Sequence, residues 1–393
     1  MTGVVMLVNK FPPLPAGGAE KQAERLAEYL GAQGLQVGVL TRGAAGLPGQ
    51  EQRDGYWVRR IPQWGPGKLK MVTFTIGAMV SLFRRRREFA ILHAHLAFAP
   101  AVAAAIIGRL LGKRVIVKFG NSGPFGDVQV SQGTLRGRLK LAMLRRWVDV
   151  DIALDSEMEA ELLGANFPRD RVKRMVNGID IDAFPVQADT VAAKAALGLA
   201  GKKVLLFTGR LAPQKALPDM LTALHRALVE CPELHLLLIG EGSERAMLEQ
   251  RVSELSLGQH VTFVGNVADV RKYLDGADIF VLSSVSEGIS NALLEAMASG
   301  LACIATAVGG TPEVLEQGKC GVLLPPERPE LLAAAIVDLC RRPAEVARLG
   351  AVARERILSH FAFSVVGNQY IALYERLLQG ETRVSTVSKQ ITK

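Results

Sequence analysis

Short apolar runs of strand length alternate with longer segments of helical period along most of the chain, the pattern of repeated βα units built around parallel sheets. In the first half the runs predict strands at Gly3–Val8, Val37–Thr41, Phe89–His93, Arg114–Phe119, Asp151–Leu154 and Val172–Val176, with helices between them. A turn signal at Asn177-Gly178 and a loose stretch to about Gly201 break the rhythm. It restarts with strands at Lys203–Thr208, Leu234–Ile239, Val261–Val264, Asp278–Leu282, Leu301–Ala305 and Gly321–Leu324. The expected organisation is two doubly wound α/β domains, at 1–182 and 201–360, joined by a linker at 183–200. Apolar residues at helical spacing over 364–378 predict a closing helix within 361–380, and the polar residues 381–393 read as a flexible tail.

The length of 393 residues agrees with two or three domains. With 49% hydrophobic and 22% charged residues, the composition excludes a disordered or collagen-like chain. The net charge of +9 is unevenly spread: residues 1–185 hold 26 Lys/Arg against 16 Asp/Glu, whereas 186–393 hold 21 against 22. All of the excess lies in the first half. Cys231, Cys303, Cys320 and Cys340 show no ligand or disulfide spacing, so neither a metal site nor a disulfide framework is expected and a reducing cytoplasm fits. The apolar run at the N-terminus follows no basic segment and reads as a first strand rather than a signal peptide. The longest apolar stretches, Met71–Phe83 and Leu96–Ile107, fall short of the roughly 20 residues a spanning helix needs.

In open parallel sheets, ligands bind beyond the carboxyl ends of the strands, so the chemistry belongs in the loops that follow them. After the first strand, Gly17-Gly18 opens a helix where backbone N–H groups can approach an anion; it lacks the G-x-G-x-x-G dinucleotide fingerprint. After the first strand of the second half, Gly209-Arg210-Leu211-Ala212-Pro213-Gln214-Lys215 places two cations where they could hold a diphosphate and stabilise charge growing on it. Gly240-Glu241-Gly242 forms another sharp turn. The densest cluster runs from Ser283 to Gly300: Glu287 lies in the loop, Gly288 and Ile289 follow, Ser290 or Asn291 can cap a helix, and Glu295 follows on it. Thr306–Glu313 repeats the strand, glycine loop and helix arrangement. His93 and His95 are assigned to opposite faces of the strand they end, with at least one of them merely packed or solvated.

On these residues the chain resembles the retaining glycosyltransferases of family 4, in the GT-B superfamily. The match extends from Gly17-Gly18-Ala19-Glu20 to the closing helix, and its most specific element is the pair of glutamates Glu287 and Glu295, separated by seven residues. The Arg210 and Lys215 loop, Asn177–Asp180 and Ala307–Val314 support it. The resemblance implies two Rossmann-like domains facing each other across a cleft. It implies a nucleotide-sugar donor bound to the second, an acceptor at the first, no metal ion and no cofactor, and a C-terminal helix that crosses back to the first domain. It also implies roles. Arg210 and Lys215 would contact the diphosphate and Glu287 the transferred sugar, Glu295 would bind the ribose, and Gly17, Gly18, Gly209, Gly240, Gly242, Gly288, Ile289, Ser290 and Asn291 would line the donor. Many relatives carry a His in the loop after the strand Arg114–Phe119. Here that loop reads Lys118-Phe119-Gly120-Asn121, which leaves Lys118, Asn121 and His95 as the acceptor-side candidates.

The favoured expectation is a metal-independent transferase using a UDP-sugar, with GDP-mannose second. Its acceptor would be a lipid-linked or oligosaccharide molecule in polysaccharide or glycolipid biosynthesis. The alternatives are a nucleotide-sugar 2-epimerase of the same architecture and a non-catalytic nucleotide- or carbohydrate-binding protein. Arg84–Arg87 is either a solvated helix end or a contact to an anionic membrane surface, which would place the protein in the cytoplasm or on the inner face of the plasma membrane. No nucleic-acid module accompanies the charge.

Overall fold

The computed structural model describes residues 3–14, 17–186 and 189–380. The segment 381–393, read above as a tail, lies outside the described residues. The chain divides into two units, the first formed by residues 1–176 together with the segment from Phe363 onward, and the second by Asn177–Ala362.

The first unit contains β1 (Val4–Leu7), α1 (Gly18–Ala32), β2 (Val37–Arg42), β3 (Gln50–Arg53), β4 (Tyr56–Ile61), α2 (Lys68–Arg84), β5 (Ile91–His95), α3 (Ala99–Leu111), β6 (Arg114–Lys118), α4 (Asp127–Gln132), α5 (Leu135–Trp147), β7 (Val150–Ala153), α6 (Ser156–Gly164) and β8 (Val172–Arg174). Its sheet runs β3-β4-β2-β1-β5-β6-β7-β8, parallel throughout except for β3. The hairpin β3–β4 was not anticipated: its strands are rich in charge, and only the turn pair Asp54-Gly55 marks it. β5 ends at His95 rather than His93, so both histidines lie within it.

The second unit contains α7 (Thr190–Ala196), β9 (Lys203–Thr208), α8 (Leu217–Ala227), β10 (Leu234–Ile239), α9 (Arg245–Glu254), β11 (Val261–Gly265), α10 (Arg271–Asp275), β12 (Ile279–Leu282), α11 (Asn291–Ala298), β13 (Ala302–Thr306), α12 (Thr311–Val314), β14 (Val322–Leu324), α13 (Pro329–Arg341) and α14 (Pro343–His360). Its all-parallel sheet runs β11-β10-β9-β12-β13-β14. This is the doubly wound order in which the winding reverses between the first and fourth strands. The range expected to be a linker, 183–200, carries α7, capped by the Asp189 side chain accepting from Ala192 N (2.9 Å) and packed on α10.

The closing helix α15 (Phe363–Leu378) belongs to the first unit. It packs on α1 and turns Phe363, Val366, Tyr370, Leu373, Tyr374 and Leu377 into the core beneath β1 and β5, while Tyr29 donates to Asn368 Oδ1 (3.0 Å). Elsewhere in this unit α2 packs on α3, and α3 on α5.

Candidate active site

The winding of the second sheet reverses between β9 and β12, and the loops that leave these two strands are tied together. After β9 the chain turns through Pro213–Lys215, and Ala216 takes a left-handed φ of 45° to enter α8. After β12, Ser283 donates to Lys215 O (2.8 Å) and Val285 N to Gln214 O (2.9 Å). These bonds seat the ammonium of Lys215 against Glu287 Oε1 in an ion pair, and the same oxygen accepts from Ser284 Oγ (2.6 Å). Glu287 is 6% exposed. The carboxylate is thus desolvated and held by a charge partner and a hydroxyl, the form in which a buried charge is tolerable.

The glycines around this pair are packing requirements. A Cβ on Gly309, whose φ is 51°, would lie 2.1 Å from the Glu287 carbonyl oxygen, and Gly310 N donates to Gly288 O (3.0 Å). The loop from β13 to α12 therefore closes directly on Glu287-Gly288. Gly240 (φ 133°) has no room for a side chain against Gly209 O, nor has Gly242 against Leu211 O. Ser290 caps α11 by accepting from Leu293 N (3.4 Å). Asn177 donates to Ile289 O (3.0 Å) and Asn291 Oδ1 (3.1 Å), fixing the entry to that helix. The sequence marks Asn177 only as a turn signal and as part of the Asn177–Asp180 stretch that supports the resemblance, with no site role, because its bonds span more than a hundred residues. Glu295 stands half-buried on α11, and Arg210 is exposed after β9. The structure thus brings Lys215, Glu287, Ser290 and Asn291 into one loop cluster.

In the first unit, winding reverses between β1 and β5. Gly17 N donates to Glu20 Oε2 (3.1 Å) at the start of α1; Ala16 lies outside the described residues. His93 and His95 share a face, their rings stacked 4.4 Å apart. A strand's side chains repeat every two residues, so positions i and i+2 point the same way and the assignment to opposite faces fails. His93 Nδ1 is bonded to Tyr374 Oη (2.8 Å), while His93 Nε2, both nitrogens of His95 and Tyr370 Oη have no hydrogen-bond partner among the described residues. Lys118 Nζ lies 5.8 Å from the centre of the Tyr370 ring.

Burial depresses these bases. His93 falls to about 3 and His95 well below the usual range, burial being the larger cause and nearby Lys118 adding to both shifts. Lys118 is brought down to about 7 by burial. His95 and Lys118 are thus buried, whereas Asn121, three residues after Lys118, is half-buried. Leu96 has a left-handed φ of 74° directly after β5, a strained position of the kind that clusters at working sites.

Among the described residues one further group has metal-ligand character: Cys231, Glu233 and Cys340 present atoms within 4.8 Å of one another. It lies at the amino end of β10, the opposite end of the strand from Gly240, and burial pushes the Cys340 thiol up to about 12.

Two family models match the chain, "Glycosyltransferase Family 4" over residues 16–183 and "Glycosyl transferases group 1" over 202–342. The protein belongs to the family 4 glycosyltransferases. Phosphatidyl-myo-inositol mannosyltransferase of Mycobacterium leprae is 29% identical over 95% of this chain and 96% of its own. N-acetyl-alpha-D-glucosaminyl L-malate synthase of Bacillus anthracis is 24% identical over 93% of this chain and 95% of its own. The structure of Anabaena HepE in complex with UDP and glucose matches with a TM-score of 0.80 at 19% identity, covering 95% of this chain and 100% of that one. The fold is GT-B, and the enzyme is a glycosyltransferase acting on a nucleotide sugar. An epimerase is not favoured.

Proposed function

We propose that the protein is a metal-independent retaining glycosyltransferase that takes a UDP-sugar, with GDP-mannose the second choice, and glycosylates a lipid-linked or oligosaccharide acceptor in polysaccharide or glycolipid biosynthesis at the inner face of the plasma membrane. The observation that carries this reading is the pair of half-buried Lys215 and buried Glu287 at the winding reversal of the second sheet. The UDP and glucose in HepE favour the uridine donor, and the mannosyltransferase from M. leprae names a lipid acceptor.

The chemistry follows from the side chains. As the glycosidic bond to the diphosphate breaks, negative charge grows on the leaving oxygens and positive charge on the sugar. An ammonium has three donors, so Lys215 can keep Glu287 and still meet a phosphate oxygen; exposed Arg210 supplies a second, forked cation. Two fixed cations and the N–H groups at Gly288–Asn291 supply charge stabilisation of the kind a divalent ion would otherwise give. Glu287, held by Lys215 and Ser284, faces the sugar, and Glu295 takes the ribose hydroxyls. Gly17, Gly18, Gly209, Gly240 and Gly242 allow backbone to approach the donor. His95, Lys118 and Asn121 are assigned to the acceptor side.

Lys215→Met and Glu287→Gln test the reading. Each should lower kcat by about 100-fold or more, the range for removing one preorganised charge-stabilising group, with EDTA leaving the wild type unaffected. Near-normal turnover in either variant refutes the site.

A further inference from the structure

Helix α2 carries two apolar stripes on opposite sides. Phe74, Ala78, Ser81 and Leu82 are buried against the unit. At 100° per residue, Leu69, Val72, Ile76, Val80 and Phe83 fall on the other side within a single narrow band, and each is between 45% and 52% exposed. Lys68 and Lys70 frame this second stripe at one end. At the other stand exposed Arg84, Arg86 and Arg87, while Arg85 stacks on Trp57 (4.4 Å) and pairs with Glu88 (2.9 Å). Along the row α2, α3, α5, Leu135 and Leu139 are also exposed, at 73% and 64%, beside Arg136 and Arg138. The charge is one-sided. Residues 55–148 hold 17 Lys/Arg, of which Arg60 and Lys118 are buried, and only two acids, Glu88 and Asp127, of which Asp127 is buried.

We propose that this face docks on an anionic lipid surface. α2 lies in the plane of the membrane, its outer stripe in the acyl boundary and its flanking cations on the headgroup phosphates. An amphipathic helix with cations beside an exposed apolar band binds membranes through both terms. No helix among the described residues is long and apolar enough to cross a membrane, so contact is made along the surface. A second copy of the chain is a poor occupant, because a two-fold contact would set this cationic field against itself. Nucleic acid gives the aliphatic stripe nothing to contact. The inference extends the earlier reading of Arg84–Arg87 to a whole surface, and it stands independently of the donor assignment.

The test is co-sedimentation of the full chain, without nucleotide, with vesicles of phosphatidylcholine alone and with vesicles of about three parts phosphatidylcholine to one of phosphatidylglycerol. The wild type should pellet with the anionic vesicles and be released by salt. I76E/V80E and R84E/R86E/R87E should each lower the partition coefficient by about tenfold or more while melting like the wild type. Absence of binding to anionic vesicles, or equal binding by the wild type and both variants, overturns the proposal. A wild-type dimer that I76E/V80E converts to monomer, without vesicle binding, also overturns it and makes the face an interface between copies.

Discussion

Gly309→Ala probes the packing that holds the Glu287 loop. The new methyl would stand 2.1 Å from the Glu287 carbonyl oxygen, whereas an ordinary contact of this kind needs more than 3 Å. One side must therefore move by about 1 Å. Overpacking of this kind costs about 1–3 kcal/mol, and the left-handed φ of 51° adds about 1 kcal/mol for a residue with a Cβ. At about 2–4 °C per kcal/mol for a unit of this size, the melting temperature should fall by roughly 4–16 °C. Gly198→Ala is the control: its φ is also positive, at 72°, but nothing lies within 4 Å, so only the backbone cost remains. The displacement also shifts the carboxylate that Lys215 and Ser284 position, and a 1 Å misplacement at a reacting centre can cost about 100-fold in rate. Thermal melts read the first effect, and donor turnover in protein confirmed to be folded reads the second. If Gly309→Ala melts and turns over like Gly198→Ala, the close approach of the two loops is not what positions Glu287.

Lys118 gives a pH signature. Its folded value of about 7 lies below the unfolded 10.5, so between these limits the unfolded chain binds more protons and stability rises with pH. The wild type should therefore gain melting temperature relative to Lys118→Met from pH 7.5 to 9.5, and parallel profiles would refute this. Tyr374→Phe removes the hydroxyl bonded to His93 Nδ1 and leaves both imidazole nitrogens unsatisfied, at a cost of about 1–3 kcal/mol in a urea titration; a loss under about 0.5 kcal/mol would mean that water replaces the bond. A Lys215→Met, Glu287→Gln double-mutant cycle should show a coupling energy of about 1 kcal/mol or more in stability, because Lys215→Met leaves the buried Glu287 carboxylate without this charge partner and Glu287→Gln does the same to half-buried Lys215. Additive losses would mean that the pair does not form in solution.

The alternation of apolar runs and helical segments made both parallel sheets legible, because strands buried on both faces read as continuous Val, Leu and Ile. The hairpin β3–β4 escaped the same logic. Its edge strand Gln50–Arg53 is polar and partly exposed, and Arg60 is buried beside Glu51, so charge there does not mean solvent. The loops of the donor site could be placed from glycines, capping residues and glutamates at fixed offsets. That Lys215 meets Glu287, and that Gly309 closes on the Glu287 backbone, depends on which strands neighbour one another. No local pattern carried the His93–Tyr374 bond, whose partners are 281 residues apart. The Met71–Phe83 run read as one apolar block, since composition alone does not separate a stripe facing the core from one facing outward.

The most direct measurement is a thermal-shift titration of the full chain with UDP, GDP, ADP and their sugars in the presence of EDTA. Ligand that binds only the folded state raises the melting point with occupancy. A saturable rise with UDP and UDP-sugars is expected, strongly weakened in Lys215→Met and, for the UDP-sugars, in Glu287→Gln. No shift with any nucleotide, or a shift that appears only when a divalent ion is supplied, would contradict it.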